Sequence, residues 1–417
     1  MALAAMQPHH QYDIVRGEAH EHRQGMLTRR YLAPRGCLGM LRNYDGAQAR
    51  MDDLPRRRRT ARAMANDEAI RAAAIAVIVD SGWDAMTFSE VAKRANLTVG
   101  AVYGRAESKA ELGADLWTSS LFPALSAGLT GLGETIASGS VPEVALVLKS
   151  WSEPSDALQA ATALAIAAIF DEDLHEVIGP DMAALLNAHC GLVGGRSGPS
   201  AAASALSIGG AFGRVLAARD GARPPVSGKA AAQREIDMSL ARGRAQALPR
   251  LPVITFQRTP TTSDPHLDLL QIAALDVIGR VGYRRATVAR ICRLAQVSSG
   301  SMFARFESKA DLVTSAASVM LVSHAEQTRA LKAVSSSSGP AISNAMLLRA
   351  FLDPAEQGQR GLRLELARVS QHEPDLQGID VLGSAAQHPL LGLGLVGSYA
   401  SEVARLPFVV PLAAVRP

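Results

Sequence analysis

A chain of 417 residues is longer than one ordinary hydrophobic core, so two domains or more are expected before any motif is read. Hydrophobic residues make up 48%, charged residues 20% and aromatics only 4%, a balance that suits helices packed through Ala, Val, Leu and Ile. A net charge of +4 permits a nucleic-acid partner without requiring one, and Cys37, Cys190 and Cys292 form no CxxC pair and have no neighbouring His at zinc spacing, so free thiols in a reducing cytosol are expected.

Residues 1–55 mix Gly, Pro, His and Arg with no helical or strand period and read as a disordered extension. Met51 opens a stretch like an ordinary protein start, so translation from Met51 is one expectation for this end of the chain. The first residues lack the apolar core of a secretion signal, and the apolar run from Ala157 to Phe170 is short against a membrane span of about 20 residues. A cytoplasmic protein with no membrane partner is expected.

A basic run, Arg56, Arg57, Arg58, Arg59 and Arg62, comes next, able to lie along phosphates or to remain a solvated arm. From Asn66 the period becomes helical, with Ile70, Ala73, Ala74, Val77 and Ile78 on one face, and Gly82 stops that helix. Thr87 caps a second helix, with Glu90 three residues on. Asn96 and Leu97 make a turn, Thr98 caps a brief third helix that weakens at Gly104, and Ser108 with Glu111 opens a longer fourth.

The same order returns 200 positions later. Asp264 caps a helix with Pro265 at its first position, Gly282 ends it, and Thr287, Ser298 and Ser308 cap the next three. Thr87, Ala95, Gly100, Arg105, Glu107, Ser108, Lys109, Ala110 and Leu112 recur unchanged at this offset, and Trp151 to Pro154 is matched by Phe351 to Pro354. A whole unit has therefore been duplicated. The expected organisation is an extension over 1–55, a first unit over 56–221 with its motif at 66–113, a Pro/Gly-punctuated linker over 222–262 holding a helix around Ala230 to Ala247, and a second unit over 263–417 with its motif at 264–313.

Two short helices across a tight turn, the second capped by a hydroxyl and carrying small residues, suit insertion into a DNA major groove. The segment TFSEVAKRANLTVGAVYGRAESKAEL, Thr87 to Leu112, resembles the helix-turn-helix of tetracycline-repressor (TetR) family regulators, and TVARICRLAQVSSGSMFARFESKADL, Thr287 to Leu312, is similar to it as well. The resemblance implies an all-α chain of two fused TetR-like units, each a DNA-binding bundle followed by a helical domain for ligand binding and dimerisation. It implies phosphate contacts by Thr87, Ala101, Arg105 and Lys109, and base-facing positions at Val99, Gly100 and Tyr103. In the second copy the matching residues are Thr287, Ser301, Arg305 and Lys309, with Ser299, Gly300 and Phe303, while Thr98 and Ser298 cap the two reading helices.

Ala101 offers no hydroxyl, Ala106 stands where the second copy has Phe306, and Phe303 lacks the phenol of Tyr103. Val99 can only pack, for instance on a thymine methyl, whereas Ser299 can form hydrogen bonds, so the operator is expected to be an imperfect palindrome of double-stranded DNA.

Two further expectations concern regulation: repression relieved by a small apolar effector, with Trp151 and Phe170 as pocket candidates, and an intramolecular pseudo-dimer that can still homodimerise. The alternative is an interaction module in which one helix-turn-helix has degenerated into a heterodimerising surface. His175, His189 and Cys190 have no metal-ligand spacing and read as core or surface residues. No catalytic motif is present and no cofactor is expected.

Overall fold

The computed structural model describes residues 61–191, 199–218, 228–240, 264–335, 351, 356–376, 379 and 388–400. The extension over 1–55, Arg56 to Arg59, and most of the 222–262 join lie outside the described residues. Every regular element among the described residues is helical, which establishes the all-α class. None of these helices is long and apolar enough to cross a membrane.

The first bundle comprises α1 (Ala61–Ala85), α2 (Phe88–Arg94), α3 (Val99–Tyr103) and α4 (Lys109–Leu116). Gly82 interrupts α1 with φ 81° and ψ 157°, a conformation that suits glycine because it has no Cβ. Ile70, Ala73, Ala74, Val77 and Ile78 are all buried, so the spacing of three and four in the sequence defines the inward face. Thr87, Thr98 and Ser108 each accept the N–H three residues on, at 3.2, 3.2 and 3.1 Å. These bonds satisfy donors that a helix start leaves free and fix where α2, α3 and α4 begin. Asn96 takes the left-handed conformation between α2 and α3, with φ 54°.

The second bundle repeats this order as α11 (Pro265–Val281), α12 (Val288–Ala295), α13 (Ser299–Phe303) and α14 (Lys309–Ser335). Asp264, Thr287, Ser298 and Ser308 cap it, Gly282 has φ 80° and Gln296 has φ 56° where Asn96 stands in the first copy.

The first unit continues through a π-helical turn, Trp117–Leu121, into α5 (Phe122–Ser138), α6 (Val141–Ser152), α7 (Asp156–Ala167), α8 (Glu172–His189) and α9 (Pro199–Ala217). Pro123 sits just past the turn and has no N–H for a regular helix, whereas Ser323 at the same offset lets α14 run on unbroken. Trp117, fully buried in the turn, donates from Nε1 to Asp181 at 3.0 Å. Helix α10 (Gly228–Leu240) packs on α6 and buries Ala231, Ala232 and Ile236, so this part of the join is held against the first unit.

The second unit continues with α15 (Gln357–Val369) and α16 (His388–Tyr399). Among the described helices α16 makes the most extensive contact, against α9 of the first unit, where Gly392 faces Gly209 and Gly213. A Cβ on Gly392 would lie 1.9 Å from the Gly209 carbonyl oxygen. The backbones meet there because no side chain intervenes.

Candidate nucleic-acid interface

Each reading helix is five residues long and is anchored by one inward side chain, Val102 in α3 and Met302 in α13, both 0% exposed. The opposite face is open. Val99, Gly100 and Tyr103 are exposed in the first copy, and Ser299, Gly300 and Phe303 in the second. Tyr103 and Phe303 are 59% and 55% exposed, unusual for large aromatics in a chain that has few. Phe88 meets the Tyr103 ring edge-on with centroids 4.8 Å apart, which fixes the phenol at the surface.

Gly100 and Gly300 have no internal reason to be glycine. Neither has positive φ, and a Cβ at either would come no nearer than 3.9 Å to the Thr98 hydroxyl oxygen or 3.8 Å to that of Ser298. Glycine is a weaker helix former than alanine, by less than about 1 kcal/mol at the second helical position that Gly100 and Gly300 occupy, and that cost recurs at the same place in both copies. The space it leaves opens outward.

The basic residues are more engaged than their spacing suggests. The guanidinium of Arg105 pairs with Asp67, itself only 5% exposed, and Arg305 donates from Nε to Asp264 at 3.0 Å and from a terminal nitrogen to the Ser301 hydroxyl at 2.8 Å. Different carboxylates, one on the second turn of α1 and one capping α11, thus hold equivalent arginines. Hydrogen bonding from Arg305 depresses the Asp264 pKa. Both arginines remain partly exposed, with donors in the planar fork that a phosphate can still reach.

Lys109 and Lys309 turn inward. Lys109 Nζ donates to the Asp84 carbonyl at 3.2 Å and lies 4.5 Å from the Trp83 ring centre, while Lys309 Nζ donates to the Tyr283 carbonyl at 3.0 Å and lies 3.7 Å from that residue's own ring. Each lysine ties the start of its fourth helix to the stretch after Gly82 or Gly282. The family resemblance implies a phosphate contact for both and gives no sign of this second contact, because the partner is a backbone carbonyl.

Burial pulls the Lys109 pKa down from 10.5 to about 8, against the opposing charge of Asp84. Between those values the unfolded chain binds more protons than the folded one, so this group makes stability rise with pH through that window. A Lys109→Met chain lacks this contribution. Denaturant unfolding at about pH 7.5 and about pH 9.5 should show the native chain gaining on the variant at the higher pH; a constant difference would contradict a buried ammonium.

Thr87, Thr98, Thr287 and Ser298 are exposed at the helix starts, and Ala101 and Ser301 are half-buried on the reading helices. Arg59 lies outside the described residues. The two pocket candidates separate. Trp151 is 1% exposed and packs edge-on against Phe212 at 5.9 Å, whereas Phe170 packs by Gly282 and Gly361 beside the second bundle.

His175 Nδ1 lies 3.1 Å from the Ala168 carbonyl and its ring stacks on Tyr399, so packing accounts for it. Burial lowers the His189 pKa and pushes the Cys190 thiol up to about 12. Among the described residues no cluster of three or more side chains could hold a metal ion.

The profile of bacterial regulatory proteins, tetR family, matches residues 70–116 and again residues 272–316, which span α1 to α4 and α11 to α14. No curated protein matches the chain. With capped reading helices, outward glycines and exposed aromatics at both matched segments, the chain carries the DNA-binding helix-turn-helix domain of the bacterial tetR regulatory family twice, in tandem.

Proposed function

We propose that both helix-turn-helix domains of one chain bind a single double-stranded operator as an intramolecular pseudo-dimer. The chain blocks transcription there until a small apolar effector releases it. The observation that carries this reading is the pair of outward glycines, Gly100 and Gly300, which cost helix stability and make close backbone approach to an outside partner possible in both copies. Packing of α9 on α16 supports the pseudo-dimer, because it joins the two units within one chain as a family dimer would join two chains. Release follows when the effector binds better to an arrangement in which the two domains no longer match the operator. The aromatic contact of Trp151 with Phe212, in the Ala/Leu-rich body of the first unit, is the proposed wall of its site.

Selection of bound sequences from a random duplex pool tests the reading. The expected product is an imperfect palindrome with half-sites about one or two helical turns apart, unequal because Val99 faces what Ser299 faces in the other half. On that operator, Gly100→Ala should keep or slightly raise fold stability, by less than about 1 kcal/mol, while weakening binding. Enrichment of one half-site only would favour the interaction-module reading, and no enrichment would end both.

A further inference from the structure

Helix α15 buries Glu365 at 1% exposure and Arg368 at 6%, two of its charged side chains. They pair with each other, Nε and a terminal nitrogen of Arg368 both donating to the Glu365 carboxylate at 2.9 Å. Each also reaches a different DNA-binding domain. Glu365 Oε1 accepts the backbone N–H of Tyr283, just past Gly282, at 2.7 Å. Arg368 donates at 2.6 Å to the carboxylate of Asp84, at the matching place past the Gly82 break in the first domain. Lys109 and Lys309 hold the carbonyls of those same two residues. One series of hydrogen bonds thus runs from Lys109 through Asp84, Arg368, Glu365 and Tyr283 to Lys309, linking the starts of the two fourth helices.

This pair exists in one copy only. At the offset of 200 its positions are Ala165 on α7 and Ala168 at its C-cap, so the unit's fold is built without it. A buried ion pair adds little net stability over apolar packing, since desolvation offsets most of the attraction, whereas it does favour one geometry over near alternatives. Reciprocal contacts border it: Arg285, in the second domain's loop, donates to the Phe170 carbonyl and to Asp171, each at 2.8 Å, and His372 Nδ1 lies 3.2 Å from the Asp80 carbonyl.

We propose that Glu365 and Arg368 are positioning residues that set the separation and angle of the two DNA-binding domains, so that the chain accepts half-sites at one spacing. The inference rests on the reading that both domains engage one duplex. An inserted base pair displaces a half-site by about 3.4 Å along the helix and about 35° around it, more than a hydrogen-bonded strut allows.

The experiment compares operators whose half-sites are moved by one and two base pairs, together with a duplex carrying one half-site. It uses the full chain, Asp84→Ala, and the double change Glu365→Ala with Arg368→Ala, which copies the first unit. Asp84→Ala leaves Arg368 paired with Glu365 and the residue 84 carbonyl with Lys109, so it carries the test even where the double change fails to fold. The full chain should prefer one spacing, and in the variants that preference should shrink by about tenfold, as loss of one charge-assisted hydrogen bond implies. Affinity for the single half-site should stay the same. A variant that folds and keeps the native spacing preference overturns the inference alone. A native chain with no spacing preference, bound as tightly by one half-site as by two, overturns the two-domain reading and the inference with it.

Discussion

Gly392→Leu is expected to destabilise the chain by about 3 kcal/mol or more, the upper end of what an overpacked site costs. The size follows from what the new side chain would meet. A Cβ at this position lies 1.9 Å from the Gly209 carbonyl oxygen and 2.5 Å from the Gly213 nitrogen, so the obstacle is backbone inside a helix and not the yielding end of a side chain. Relief requires α16 to lift away from α9, exposing Phe212, Leu393 and Leu395, all buried at 1% or less. Trp151, edge-on to Phe212, reports the change. Denaturant unfolding followed by tryptophan emission should show an earlier midpoint. An unchanged midpoint would mean that the close crossing of α9 and α16 does not exist in solution. Operator binding should weaken alongside, since this crossing joins the unit carrying α3 to the unit carrying α13.

A larger effect is expected on DNA affinity from Tyr103→Glu and Phe303→Glu made separately. Each aromatic is more than half exposed on its reading helix, so the substitution adds a carboxylate facing the phosphates with little change inside the fold. On the proposed pseudo-dimer reading two readers in one chain bind as a bivalent ligand, and silencing either forfeits the effective concentration that the other supplies, a loss of about 10²–10⁴-fold. Titration of the selected operator measures it. Equal losses indicate that both copies read DNA. A silent Phe303→Glu beside a disabling Tyr103→Glu would identify the second copy as degenerate, and the reverse pattern the first.

Much of each DNA-binding domain was legible because its determinants are local. Thr87, Thr98, Ser108 and their counterparts bond to an N–H three residues away, so the hydroxyl and the helix start are read together. Gly82 and Gly282 stand at left-handed breaks that glycine alone adopts readily, and the spacing of Ile70, Ala73, Ala74, Val77 and Ile78 defines a buried face without reference to anything distant. Recurrence at an offset of 200 strengthened each of these readings independently.

Other features were illegible for the converse reason. Nothing near Lys109 announces that its ammonium will cover Trp83, and Arg105 gives no hint that Asp67, 38 residues earlier, will hold it. Helix α10 falls in a stretch whose Pro and Gly content suggested a join, and only its packing on α6 makes it part of the first unit. Nothing local shows that Trp151 will be enclosed by α5 and α9 while Phe170 lies against the second bundle.

The amino-acid sequence by itself determined the helices, their caps, their breaks and the duplication, since each is set by contacts within a turn or two of chain. Tertiary structure alone decided which charges are buried and what the two halves share. Glu365 and Arg368 look like ordinary solvated residues of a polar helix until Arg368 meets Asp84, 284 residues away, and both become interior. The reason is physical: a side chain's burial depends on surfaces brought together by the fold, and no local period encodes which distant surface that will be.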